Sequence, residues 1–290
     1  MAYTRDTFQV YQTEYFSGMS EVLMQQAVDM QGAGGAFVME NRNMQGELEK
    51  ASFFESIGSG LIQDRDPTDL SAASWSDLTM SETVGIKIHR SMKAEKAVSA
   101  FKAIGEDPSI MSFVLGQQQG KAVALDYLNN GLGAVRALLE SIGSDVTYDA
   151  TAVAGSEDLT PSGLVEMKAK LGDASGDIVA FCLHSRMAHD LLGDAVASAA
   201  STIAGPAIFQ ASFGTLSVPV IVTDSPALVN LDPAGDGSAP AEYYVLGLTS
   251  GAVRLTESEE REVLTRMDDT RANITARVTT EIAYTVQPKG

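Results

Sequence analysis

Ser109 to Gly143, "SIMSFVLGQQQGKAVALDYLNNGLGAVRALLESIG", decides how the rest of the chain is read. Apolar residues recur at Ile110, Phe113, Val114, Leu125, Leu128, Leu132, Val135, Leu138, Leu139 and Ile142, the three-to-four spacing of one buried helical stripe. Pro108 stands just inside the start and Gly143 just past the end, as helix punctuation requires. At 1.5 Å per residue such a helix is about 50 Å long, a strut across a whole domain. Yet it holds Gly116, Gly120, Gly131 and Gly133, each about 0.8–1 kcal/mol worse than Ala in a helix interior. Gly116 and Gly120 share a face, which predicts that another backbone crosses closely there. The competing reading is a kink or a break into two helices.

Upstream, "SGMSEVLMQQAVDMQ" places Met19, Val22, Leu23, Ala27 and Met30 on one helical face, with Ser17 or Ser20 as cap, before "GAGGAF" ends the helix. A short helix beside a Gly-rich break must dock on something else. Between Gly46 and Ser91 the pattern changes to strands and turns, ending in "VGIKIHR", where Val84, Ile86 and Ile88 alternate with Gly85, Lys87 and His89. An excursion of this kind is a lid over a pocket or an arm reaching a neighbour. "SMKAEKAVSAFKAIG" reads as a second helix.

Beyond Gly143 the pattern alternates: a strand at "VTYDATA", a helix at "TPSGLVEMKAKLG", a strand at "DIVAFCL", a helix at "SRMAHDLLGDAVASAA" and a strand at "LSVPVIVTD". That order predicts helices layered on a sheet. "YYVLGLTSGAVRLTE" reads as a hairpin turning at Thr249 to Gly251. In "ANITARVTTEIAYTVQ", Ile274, Ala276, Val278, Ile282, Tyr284 and Val286 fall on one strand face, so a sheet with one covered face is expected, packed on the long helix.

With 290 residues and 44% hydrophobic content, the chain is long enough for a large core in one or two domains. No run approaches a membrane span and the N-terminal stretch lacks signal-peptide blocks, which predicts a cytoplasmic product with no membrane contact. A single cysteine, Cys182, excludes an intrachain disulfide, and with three histidines no metal and no cofactor is expected. The net charge of −18 argues against tight nucleic-acid binding, which runs on clustered Lys and Arg.

The order of these parts resembles the tailed-bacteriophage major capsid proteins of the HK97 fold. The resemblance rests on "GELEKASFF" with "VGIKIHR", on "AVSAFKAIGEDPS" running into "ALDYLNNGLGAVRALL", on "FCLHSRMAHDLL" followed by "LSVPVIVTD", and on "YYVLGLTSGAVRLTE" with "ARVTTEIAYTV". It implies an α+β shell subunit: an N-terminal arm (1–45), an extended β E-loop (46–91), a peripheral domain with the spine helix and a long antiparallel sheet (92–145), an axial α/β domain (146–261) and a C-terminal strand returning to the peripheral domain (262–290). It also implies hexamers and pentamers of an icosahedral head around double-stranded DNA, the DNA enclosed without specific binding. The partners are copies of the chain itself, a portal protein and, since a cleaved scaffolding segment has little room before the arm, a separate scaffolding protein; cement proteins are optional. Inter-subunit contacts are expected at Phe53, Phe54, Gly58, Gly60, Arg65 and Trp75, with Gly116 and Gly120 as close-approach positions on the spine.

Two other readings compete: an encapsulin-type nanocompartment, which resembles the same fold, and a soluble α/β enzyme using Cys182 and His184. Cys182 lies in an apolar run and reads first as a buried structural thiol, and His189 as a surface or packing residue. "GAGGAF" lacks the phosphate-loop pattern and reads as a hinge. Asp232, Asp236 and Glu242 miss the EF-hand spacing and read as a solvated loop.

Overall fold

A computed structural model describes residues 5–32, 34–42, 46–54, 68, 80–97, 108–144, 146–151, 158–198, 218–233, 235, 240–259, 261–268, 270 and 275–289. The long helix α2 runs unbroken over Pro108–Ile142. It ends where Gly143, at φ 86°, turns left-handed and donates its N–H to the Leu139 carbonyl at 3.1 Å. Helix α1 (Arg5–Gly32) lies along it. Glycines on both helices make the contact: a β-carbon on Gly120 would stand 2.9 Å from the Met19 carbonyl oxygen, and one on Gly116 would stand 2.9 Å from the Tyr15 carbonyl carbon. Tyr15, Met19, Val22 and Leu23 are buried there. Because α1 begins at Arg5, Ser17 and Ser20 are interior rather than capping residues, and the Ser20 hydroxyl donates to the Ser17 carbonyl at 3.0 Å. The turn that follows is pinned: Gly251 N–H donates to the Gly35 carbonyl at 2.8 Å, and a β-carbon on Gly34 would stand 2.8 Å from the Val179 carbonyl oxygen.

The helices cover a six-stranded sheet of order β1-β9-β11-β3-β2, with β10 also pairing β11. Its strands are β1 (Phe37–Asn41), β2 (Leu48–Phe54), β3 (Met80–Ala97), β9 (Val253–Glu257), β10 (Glu262–Asp268) and β11 (Thr275–Pro288). β1 is parallel to β9, and the other pairs are antiparallel. β11 packs its Ile282, Tyr284 and Val286 into the main core with Tyr127, Leu132 and Val135 of α2. Each such fully buried large side chain contributes about 1.5–3 kcal/mol relative to exposure. Ala283, Thr285 and Gln287 are buried as well, so the end of this strand is covered on both faces.

The second layer is a three-stranded sheet, β5-β4-β8, from β4 (Ile178–Leu183), β5 (Val220–Val222) and β8 (Val245–Thr249). Ala180, Cys182, Leu246 and Leu248 face the main core. Ile178, Phe181 and Leu183 face a second core with Leu164 of α3 (Pro161–Ala169) and Leu191 of α4 (Ser185–Ser198). Thr160 caps α3, accepting from the Gly163 N–H. β6 (Val229–Asn230) and β7 (Glu242–Tyr243) form a small ribbon.

Three sequence expectations about individual elements are corrected. Ser91–Ala97 is not helical but the end of β3, because Thr275–Glu281 of β11 pairs with it residue by residue; the rest of the expected helix lies outside the described residues. "VTYDATA" forms turns rather than a strand over its described part, 146–151. "YYVLGLTSGAVRLTE" is not a hairpin, since β8 joins the small sheet and β9 the large one. For the same reason the stretch 146–261 supplies strands to both sheets.

Candidate assembly surface

β3 changes partner along its length. Ile86 is its last residue opposite β11, facing Val286, and it also lies opposite Leu48, where β2 begins. Beyond it, from Gly85 to Met80, the ladder pairs β3 with β2 alone on the described residues, so the hairpin projects from the sheet. With a side-chain period of two and the register Leu48↔Ile86, Lys50↔Val84, Ser52↔Glu82 and Phe54↔Met80, one face carries Leu48, Val84, Ile86 and Met80. This face continues that of Ile88 and Met92, which pack on the main core, but it has left the cover of the helices. Leu48 is 57%, Met80 62%, Val84 41% and Ile86 61% exposed. Lys50 and Glu82 pair on the same face, 3.0 Å apart, a solvent-exposed pair of small energetic weight. Leu48, Met80, Val84 and Ile86 thus stand exposed on a face that also carries Lys50, Ser52 and Glu82.

On the opposite face, the Lys87 that alternates with Ile86 and Ile88 in "VGIKIHR" is turned inward. The Lys87 side chain is 5% exposed and pairs with Glu259 in the β9–β10 connection, beside buried Ser258, Thr285 and Gln287. The Lys87 ammonium holds the Glu259 carboxyl below its ordinary value. No pattern in the sequence marks this pair, because its members are far apart in the chain.

At the sheet's centre, Asp126 of α2 gathers three donors. The Tyr284 hydroxyl reaches it at 2.5 Å, Arg90 Nε at 2.9 Å and Asn130 Nδ2 at 3.0 Å. Tyr127 stacks edge-on to Tyr284 with centroids 4.5 Å apart, and its hydroxyl donates to Glu257 at 3.2 Å. Burial, above all, raises the pKa of both tyrosines. This network ties the helix to β3, β9 and β11, and with it fixes the root of the hairpin.

The remaining expected residues are distributed as follows. Phe53 and Phe54 lie on β2 by their backbone, their side chains outside the described set. Gly58, Gly60, Arg65 and Trp75 also lie outside the described residues. Gly116 and Gly120 sit against α1. Cys182 is fully buried and its burial pushes the thiol up to about 12, the opposite of an activated nucleophile. His184 accepts the Arg186 N–H at 3.1 Å through Nδ1 and tilts against Tyr243 with centroids 5.1 Å apart, an engaged ring at the start of α4. Asp236 lies outside the described residues, and the Tyr244 hydroxyl donates to Glu242 at 3.5 Å.

This helix-on-sheet arrangement with a projecting hairpin is an HK97-type phage capsid fold. The chain is similar to the cyanophage Pam1 capsid asymmetric unit at 15% identity and a TM-score of 0.55, covering 85% of this chain and 82% of that one. It is similar to a chain of Microbacterium phage Oxtober96 at 12% and 0.53, covering 87% and 83%, and to one in the capsid structure of cyanophage P-SCSP1u at 10% and 0.50, covering 88% and 84%. No curated protein sequence matches it. The model of the Gp13-like family, described as major capsid protein 13-like, matches residues 7–290, and the chain belongs to that family. It is a structural subunit of a capsid, and neither the encapsulin nor the Cys182/His184 enzyme reading is favoured.

Proposed function

We propose that this major capsid protein assembles as hexamers and pentamers into an icosahedral phage head that encloses double-stranded DNA without binding it specifically. Residues 46–91 act as the E-loop, whose β2–β3 root presents its apolar face to a neighbouring copy. The observation that carries this is the exposure of Leu48, Met80, Val84 and Ile86 on one face of a projecting hairpin. A contact that repeats between unlike patches closes into rings when its rotation allows. Phe53, Phe54, Gly58, Gly60, Arg65 and Trp75 belong to the same excursion and extend that contact. The helix α2 with β3 and β11 serves as the peripheral domain, and the β4-centred layer with α3 and α4 as the axial one.

The excess of acidic over basic residues suits a container whose lining must not hold its contents. In this reading a separate scaffolding protein and a portal protein assist assembly in the host cytoplasm, cement proteins are an optional addition, and the product is part of the virion. The test is size-exclusion chromatography with light scattering and electron microscopy of the expressed chain, alone and with a candidate scaffolding protein. Hollow megadalton shells support the reading, and a strictly monomeric chain under both conditions overturns it.

A further inference from the structure

β10 is an edge strand: it pairs with β11 on one side, and among the described residues no strand lies on the other. The ladder fixes which of its backbone groups point to that open side. Lys87 N–H donates to the Glu47 carbonyl at 3.0 Å, so the odd-numbered residues of β3 turn their N–H and C=O toward β2 and the even-numbered ones toward β11. Ser258 N–H donates to the Ala283 carbonyl at 3.0 Å, so the odd-numbered residues of β11 turn theirs away from β3, toward β9 and β10. In the register Glu262↔Glu281, Leu264↔Thr279, Arg266↔Arg277 and Asp268↔Thr275, these bond the even-numbered residues of β10. Val263, Thr265 and Met267 therefore direct their N–H and C=O outward.

Helix α1 meets this edge at one rung. Gln12 Nε2 donates to the outward Val263 carbonyl at 2.6 Å. One turn on, the Tyr15 hydroxyl lies 2.7 Å from Thr280 Oγ1, and Thr280 is the residue directly opposite Val263 on β11. Tyr15 and Thr280 are both buried, so the helix is seated over this rung, and Gln12 at its rim holds the position that the N–H of a further strand would take. Beside it, Leu264 is 64% exposed. An open edge carrying an exposed apolar residue is a template for pairing with another chain.

We propose that Gln12 is an edge guard: by occupying the Val263 carbonyl it keeps a second copy of this chain from adding a strand along β10. A capsid subunit accumulates in many copies, so its own edges are the strands it meets most often. The guard does not depend on the hairpin face being the assembly contact.

The experiment follows thioflavin T fluorescence and light scattering of the soluble full-length chain, with electron microscopy to tell ordered shells from irregular aggregates. Gln12→Ala removes the donor, and loss of one net hydrogen bond raises the population of the open edge about tenfold. Irregular aggregates are expected to grow about that much faster, while the melting temperature stays within about 4 °C of the parent. In those aggregates hydrogen exchange is expected to show the amides of Val263, Thr265 and Met267 gaining protection. Thr265→Pro removes an outward N–H that β11 does not use, which an edge strand tolerates, and in the Gln12→Ala background it is expected to restore the parental rate. Parental aggregation of Gln12→Ala overturns the guard. Faster aggregation that leaves those three amides unprotected, or that Thr265→Pro does not slow, overturns it as well, because the copies then join elsewhere or through unfolded chain.

Discussion

Gly116 of the long helix lies against the backbone of Tyr15 in α1 so closely that a β-carbon at 116 would stand 2.9 Å from the Tyr15 carbonyl carbon and closer still to its oxygen. The missing side chain at 116 is what lets two helix backbones meet there.

Gly116→Ala therefore sets two effects against each other. Helix propensity favours Ala by about 0.8–1 kcal/mol, but overpacking against backbone costs about 1–3 kcal/mol or more. The clash wins, since a carbonyl cannot rotate away as a side-chain tip can. Gly133→Ala is the converse case, its β-carbon meeting, among the described residues, only the Ala227 β-carbon at 3.9 Å, an ordinary contact. Urea unfolding should show the first variant destabilised by about 2 kcal/mol and the second unchanged or stabilised by up to about 1 kcal/mol. Equal effects at the two sites would remove the close-packing account.

The buried tyrosines predict an alkaline limit. Burial raises the pKa of Tyr15, Tyr127 and Tyr284 in the folded chain, so their stabilising contribution is complete below the ordinary tyrosine value of about 10. It is lost as pH rises from there toward the folded values, because the unfolded chain sheds those protons first. Stability should fall with pH above about 10, and absorbance at 295 nm should show a late group of tyrosines titrating together with unfolding. Smooth titration of all tyrosines in a folded chain would contradict it.

Cys182 should be silent to thiol reagents in the native state and react once in denaturant, since its thiol is fully buried and pushed up to about 12. Cys182→Ser buries an extra hydroxyl and should cost about 1–3 kcal/mol. Rapid native labelling would reopen the nucleophile reading.

Ile86→Lys places a charge on a side chain that is 61% exposed. Exposed substitutions shift stability by about 0.5 kcal/mol or less, so the soluble chain should melt as before while shell formation is lost. Light scattering under assembly conditions measures this directly, and shells of normal yield would show that the hairpin face is not covered by a neighbour.

Much of the fold was legible because it follows from local periodicity. The stripe from Ile110 to Ile142 marks α2, the apolar run 178–183 marks β4, and Thr160 marks the start of α3. The hairpin was legible as an excursion, but its faces were not. Alternation of Val84, Ile86 and Ile88 with Gly85, Lys87 and His89 says that two faces differ, but not which of them is covered at each point along the strand. The covering helices leave the sheet before Ile86, while the β9–β10 connection covers Lys87, so inside and outside exchange along one strand.

What the sequence determined by itself was the set of elements whose hydrophobic period matches their own geometry, together with the places where only glycine tolerates a near neighbour. The tertiary structure alone decided which partner each segment takes. Residues 91–97 have the composition of a helix but become strand because β11, far along the chain, offers a complete ladder of hydrogen bonds. β8 and β9 look like a hairpin but separate into two sheets because each finds a longer or better-buried partner, β4 for one and β1 with β11 for the other. Local propensity is worth tenths of a kcal/mol per residue, and a paired, buried strand outweighs it.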